Sequence, residues 1–227
     1  MSSLLGLILR RGKQLPEKHM GHFSRVPVPW GGASLEQLRD ELDRNAHLWF
    51  MDQSRQQRIR VQENTQSIFL RAARRSPTGP KSINDVQESA ETQWARNFPR
   101  ALGLLERIRS QLKASLGRAL YVRLAPGTQV YPHIDAGTYY IKRDRYHLVI
   151  ESEGSIMRCG GEQVTMRNGE LWWFDNKIEH ESSNPSDTWR THLIFDLCQG
   201  AQDMLQANGS SAAEALPTAR CVNRLAN

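Results

Sequence analysis

Cysteine is scarce and unpatterned in this 227-residue chain: Cys159, Cys198 and Cys221 are odd in number and far apart. No Cys-x-x-Cys pair occurs, which excludes a thiolate zinc ribbon and a disulfide framework and fits a reducing, cytoplasmic setting. Long apolar runs are missing as well. Leu4 to Leu9 is followed at once by Arg10-Arg11. It is too short to cross a bilayer, and it lacks the charge-then-apolar order of a secretory signal. It is expected to dock on the core as a short strand or helix, so no transmembrane segment is expected. Aromatic residues make up 7% of the chain, and no zinc finger, RNA-binding aromatic signature or recognition helix is present. Nucleic acid is therefore not an expected partner. Acidic residues are outnumbered, 24 Asp+Glu against 30 Lys+Arg, for a formal charge of +6. Such a balance either solvates the surface or attracts anions, such as a dicarboxylate or an acidic substrate. No internal repeat is found.

What is present divides by periodicity. Ser34 with Gln37 reads as a capping box, and Leu35, Leu38 and Leu42 follow at helical spacing, which predicts a helix from about Ser34 to Asn45. Thr65 to Ala72 predicts a strand, and Arg74 to Lys81 a basic Pro/Gly loop. A helix is predicted within Asn84 to Asn97. A longer one is predicted from Pro99, with Leu102, Leu105, Ile108, Leu112 and Leu116 as its apolar face and Gly117 as its stop.

From Ala119 the period becomes two. Short strands are predicted near 119–125, 129–135, 145–151, 155–158, 162–167, 170–174, 178–183 and 189–197, and Asn168-Gly169 is a strong hairpin signal. Eight such strands indicate a jelly roll. The fold class is thus mainly β with flanking helices (α+β): a double-stranded β-helix core with N-terminal helices packed on one sheet. Residues 1–200 are expected to form one domain, helical over 1–118 and β over 119–200, with 201–227 a flexible tail. Alternation places Arg145 and His147 on one strand face and Arg190, His192 and Asp196 on another, opposite apolar residues. The helices are expected to cover the apolar face and the Arg/His face to line the barrel.

The chemistry is carried by His133-x-Asp135 with His180. Residues at i and i+2 on a strand point the same way, so one segment delivers two ligands and a later strand the third. Two imidazoles and a carboxylate can occupy one face of an octahedral Fe(II), leaving positions for a cosubstrate and O₂; Zn or Mn would also suit these donors. Arg190 is a fork that can take a carboxylate bidentately, here assigned to the far carboxylate of 2-oxoglutarate. Its alternative is an internal ion pair with Asp187 or Asp196. Arg145 and His147 are candidates for the cosubstrate or for an acidic substrate group, and His192 joins them on the polar face. Trp172, Trp173 and Phe174 read first as core, though one of them could wall the pocket. Arg123, Lys142 and Arg143 are placed near the mouth and suggest an anionic substrate.

These residues resemble the aspartyl/asparaginyl β-hydroxylase family of Fe(II)- and 2-oxoglutarate-dependent oxygenases. The matching text runs from Leu124 to Gly127 (LAPG), His133 to Gly137 (HIDAG), Arg145 to Leu148 (RYHL) and Gly169 to Asn176 (GELWWFDN), then through His180 and Asn184 to Arg190 to Asp196 (RTHLIFD). The resemblance implies a double-stranded β-helix, His133 and His180 as metal ligands, Arg190 on 2-oxoglutarate, and Arg145 with His147 near 2-oxoglutarate or the substrate. Animal members of the family lack the metal-binding carboxylate; Asp135 stands at that place here, which also argues against a halogenase. The expected activity is hydroxylation of an unactivated C–H in a small-molecule, amino-acid or peptide substrate, aspartyl/asparaginyl-like and anionic. Two alternatives stay open at this point: a non-oxygenase cupin-type metalloenzyme, and a non-catalytic metal-stabilised binding module. The sequence sets no oligomeric state.

Overall fold

The computed structural model of the chain describes residues 21–199. The Leu4–Leu9 segment and the tail from Gln206 lie outside these residues. The chain enters through β1 (Phe23–Val26) and α1 (Leu35–Arg44), then the short helix α2 (Ser54–Arg58) and strands β2 (Thr65–Ala73) and β3 (Ser89–Glu91). Helix α3 (Pro99–Gln111) leads into β4 (Ala114–Leu124), β5 (Thr128–His133) and the single turn α4 (Thr138–Ile141). The remainder is β: β6 (Asp144–Glu151), β7 (Ile156–Cys159), β8 (Glu162–Thr165), β9 (Leu171–Phe174), β10 (His180–Asn184) and β11 (Arg190–Gln199).

The strands form two antiparallel sheets, a seven-stranded one ordered β1-β9-β6-β11-β4-β2-β3 and a four-stranded one ordered β5-β10-β7-β8. This is the expected jelly-roll core with helices on one sheet. Alternation decides which face is which. Tyr146, Leu148 and Ile150 of β6 and Leu193, Phe195 and Leu197 of β11 form one buried cluster with Leu38 and Leu42 of α1 and Leu104, Leu105 and Ile108 of α3. The opposite face, carrying Arg145, His147, Arg190, His192 and Asp196, is buried too. It faces the smaller sheet, where Val149 and Phe174 of the large sheet pack with Met157 and Cys159 of the small one. Polar residues buried between two sheets need partners, so this interior is where function is sought.

Helix α1 forms as the capping box requires: Gln37 N donates to Ser34 Oγ at 3.3 Å and Ser34 N to Gln37 Oε1 at 3.1 Å. Helix α3 has Pro99 in its first turn but no side-chain cap from its own N-cap Phe98. Buried Glu41 of α1 supplies that cap, accepting from Arg100 N at 2.6 Å and Ala101 N at 3.1 Å.

Two expectations are corrected. Helix α3 stops at Gln111, not near Gly117; Lys113 turns with φ 50° and β4 begins at Ala114. Leu116 therefore meets the core from a strand, where it still packs on the helix-side cluster. Gly117 is not a stop but a close approach: a Cβ there would collide with the Tyr139 hydroxyl. The helix expected within Asn84 to Asn97 is instead two 3₁₀ turns, Ile83–Asp85 and Ala95–Asn97, around β3. Val86, Ala90 and Trp94 have helical spacing, but the open edge of β2 offers Ser89–Glu91 cross-strand bonds that a helix there would forgo. Strand β1, which extends the large sheet beside β9, was not expected. Among the described residues no helix is long and apolar enough to cross a membrane.

Candidate metal centre

Antiparallel pairing of β5 with β10 sets His180 directly opposite His133, and the two rings lie 4.4 Å apart between centroids. Each ring is aimed by its own backbone. His133 Nδ1 donates to Tyr131 O at 2.8 Å and His180 Nδ1 to Ile178 O at 2.9 Å, which leaves both Nε2 atoms with lone pairs facing outward. Asp135 lies just beyond β5, held by its N–H donating to Asn176 O at 3.1 Å. Ligand atoms of His133, Asp135 and His180 all fall within 4.8 Å of one another. The charge states suit a divalent cation. Burial lowers the His180 pKa to about 4, so the imidazole is neutral near pH 7. Burial pushes the Asp135 carboxyl up, but Arg145 and His180 outweigh it and hold it below the ordinary carboxylate range.

His133 and His180 open on a narrow cleft that holds about 40 Å³ of free space. Its walls include Arg55, Arg145, His147, Phe174, Ser182 and Arg190. Arg190 is buried and has no carboxylate partner among the described residues; Nη2 donates to Ser182 Oγ and Nη1 to His192 Nδ1, both at 3.3 Å, and Nε has none. The ion pairs with Asp187 or Asp196 that the sequence left open do not form. Burial lowers the Arg190 pKa to about 10. His147 Nδ1 lies 3.2 Å from His192 Nδ1. Because a guanidinium only donates, His192 Nδ1 must accept, and His147 Nδ1 carries the proton of that contact. The Nε2 atoms of both rings are buried without partners. Burial and the nearby Arg190 charge push both pKa values well below the usual histidine value.

Arg145 sits elsewhere in the charge balance. It pairs with Asp135 at 2.7 Å and with Asp196 at 2.9 Å, and these carboxylates raise its pKa well above the usual value despite burial. Phe174 is the aromatic that walls the cleft, edge-on to His147 and His180; Trp173 packs on the helix-side core. Arg123, Lys142 and Arg143 do not line the cleft. Arg123 bonds Gln66 and stacks on Trp49 and Trp189, while Arg143 bonds Gln87 and stacks on Tyr139.

Two polar cleft residues that the sequence analysis missed are Ser182 and Arg55. Arg55 of α2 donates to Ser67 Oγ at 3.1 Å and, like Arg190, has no carboxylate partner among the described residues. Burial and the neighbouring Arg145 charge lower its pKa to about 10. Ser54 to Arg58 has no apolar stripe and sits far from every motif, so only the fold brings it here.

Comparison with known proteins agrees with this geometry. The family model for aspartyl/asparaginyl beta-hydroxylase matches residues 33–199. The mouse (Mus musculus) and human (Homo sapiens) aspartyl/asparaginyl beta-hydroxylases are 31% identical over 102 residues, 45% of this chain but only 14% and 13% of theirs. The fold is similar to that of an oxidoreductase of the 2OG-Fe(II) oxygenase family from Burkholderia pseudomallei, with a TM-score of 0.50 and 12% identity over 78% of this chain and 84% of that one. The matched span takes in every strand from β2 to β11 and all three groups that could hold a metal, and the chain belongs to the aspartyl/asparaginyl β-hydroxylase family.

Proposed function

We propose that the protein is an Fe(II)- and 2-oxoglutarate-dependent dioxygenase. It would hydroxylate an unactivated C–H in an aspartyl/asparaginyl-like amino acid or peptide. The observation that carries this reading is the company the metal centre keeps. His133 and His180, grouped with Asp135, open on a cleft also lined by two guanidinium groups, buried Arg190 and half-buried Arg55, with no carboxylate partner among the described residues. Buried cations persist when something anionic completes them. A cupin-type metalloenzyme without a diacid cosubstrate would leave both charges unexplained.

The donor set fits a divalent ion with open positions, two neutral imidazoles and one carboxylate. When bound, Fe(II) with 2-oxoglutarate and O₂ supplies the oxidising chemistry, coupling decarboxylation to succinate with C–H hydroxylation. The residues of the chain do the rest. Arg190, with Ser182 beside it, takes the far carboxylate of 2-oxoglutarate, and its unpartnered Nε is a donor in reserve. His147 stands on the cleft wall with its tautomer fixed by His192 through the Nδ1 contact, which leaves its Nε2 as an acceptor. Phe174 closes the wall with apolar surface and keeps water from the reacting groups. Arg55, left over after the diacid is held, is suited to a carboxylate on the substrate. The free thiols Cys159 and Cys198 fit a reducing cytoplasm.

The test is a screen of amino acids and Asp/Asn-containing peptides with Fe(II), 2-oxoglutarate and O₂. It looks by mass spectrometry for a gain of one oxygen matched by succinate. Binding of Fe(II) without any turnover of 2-oxoglutarate, even uncoupled from substrate, would overturn the reading and favour the cupin-type alternative.

A further inference from the structure

Beside the metal centre, two carboxylates share one guanidinium. Arg145 of β6 is the register partner of Asp196 of β11. Its Nε donates to Asp196 Oδ1 at 2.9 Å and its Nη2 to Asp196 Oδ2 at 3.2 Å. The remaining Nη1 reaches across to Asp135 and donates to Oδ2 at 2.7 Å. Asn176 Nδ2 donates to that same oxygen at 3.1 Å. Both protein bonds to the Asp135 carboxylate therefore fall on Oδ2, and Oδ1 has none among the described residues.

The far end of this bridge is rigid. Asp196 is 1% exposed and is paired in the β11–β6 ladder, opposite a register shift on the β4 side. Its Oδ2 also accepts from the Tyr139 hydroxyl at 3.2 Å, and that hydroxyl accepts from Arg118 N at 2.8 Å. Asp135, by contrast, stands outside regular structure, past the end of β5. A loop carboxylate has rotamers to lose and two oxygens to offer, and an ion needs one of them fixed.

We propose that Arg145 is a positioning residue: it pins Asp135 Oδ2 to the protein, reserves Oδ1 as the single oxygen for the ion, and ties this loop ligand to β11 through Asp196. The proposal rests on His133, Asp135 and His180 being the ligands. It has two consequences. Arg145 is committed inside the protein and is not a free site for an incoming anion. Asp196, which touches none of the candidate donors, sets the metal affinity.

The sign of one effect separates positioning from simple electrostatics. A guanidinium beside a dication repels it, so by Coulomb's law alone deleting Arg145 strengthens metal binding. Losing an outer partner that orients a ligand works the other way, by about 10–100-fold in affinity. The experiment uses the full chain with Co(II) or Mn(II) alone, without 2-oxoglutarate or substrate. Affinity is read by calorimetry and ligand geometry from the visible Co(II) spectrum. Arg145→Gln should bind about 10–100-fold more weakly with a shifted Co(II) band. Arg145→Lys should recover part of the loss, since an ammonium reaches one carboxylate but not both. Asp196→Asn, close to isosteric, should weaken binding in the same direction. In the Asp135→Asn background, Arg145→Gln should cause no further loss, because the group it acts through is gone. Arg25→Gln, which removes only a surface pair with Glu170, should bind as wild type.

Wild-type or tighter binding by Arg145→Gln overturns the proposal, as does an equal loss in both backgrounds. If Arg145→Gln does not fold, Asp196→Asn and Arg145→Lys carry the test, and wild-type affinity and spectra in both overturn it. A wild-type protein that takes up neither ion overturns the metal-centre reading itself.

Discussion

His133 and His180 face each other across one antiparallel register, their rings 4.4 Å apart, and each is aimed by a hydrogen bond to the carbonyl two residues before it. Two imidazoles held this way are preorganised for the ion that the proposed function places between them. His133→Ala or His180→Ala should each lose more metal affinity than the roughly 10–100-fold expected for an outer partner. Elemental analysis after dialysis checks this; full metal content in both variants would remove them as ligands.

Arg190 holds a buried charge with no carboxylate opposite. Such a buried charge costs stability in the free protein, and 2-oxoglutarate is its partner in the proposed function. Arg190→Met should therefore raise the apparent KM for 2-oxoglutarate by the equivalent of about 2–4 kcal/mol. The same change should raise the melting temperature of the ligand-free protein. A variant that loses cosubstrate affinity and stability together would show that Arg190 is structural.

Arg55 divides the cosubstrate from the substrate. If it holds a substrate carboxylate, Arg55→Ala should raise the KM for the prime substrate about tenfold or more. The KM for 2-oxoglutarate should stay close to wild type. An equal rise in both constants would place Arg55 on the diacid instead.

Three buried imidazoles, His147 and His180 in the cleft and His192 behind them, are held neutral by desolvation. The His180 pKa falls from 6.5 to about 4, and His147 and His192 lie well below 6.5. Below pH 6.5 the unfolded chain takes up protons that the fold refuses, so the unfolded state binds more of them. Stability contributed above pH 6.5 is then lost as the pH falls toward 4. Urea midpoints of metal-free protein between pH 7.5 and pH 5 measure it (roughly the window of histidine titration). His147→Gln with His192→Gln should flatten part of the slope, and an unchanged slope would mean that these rings ionise freely in the fold.

Glu41 is the cap that α3 lacks in its own sequence. Glu41→Ala should cost about 1–3 kcal/mol by leaving the buried Ala101 N–H and the part-buried Arg100 N–H unpaired. Thermal unfolding reads this, and a neutral result would show that water replaces the carboxylate.

Local patterns were legible in the sequence because their physics is local. Ser34 and Gln37 cap α1 whatever surrounds them, and period-two alternation separated Tyr146, Leu148 and Ile150 from Arg145 and His147 before any partner was known. The ladder order of the motifs marked the family, but the expected strand through Asp135 ends at His133, and Asp135 is held from the loop by Asn176. What depended on a distant partner was hidden. The open edge of β2 drew Ser89–Glu91 into a strand, and α3 ended early because β4 begins at Ala114 to pair with β11. Nothing in the sequence of α1 marks Glu41 as the cap that α3 needs. The pairing of Arg145 with Asp135 and Asp196 could not be read from spacing, and Arg55 carried no signal at all. Sequence spacing fixes which face a side chain takes, since that follows from backbone geometry two or three residues away. Only the assembled sheets decide which charges meet, because burial and distance between remote segments determine whether an arginine is paired or left waiting for an anion.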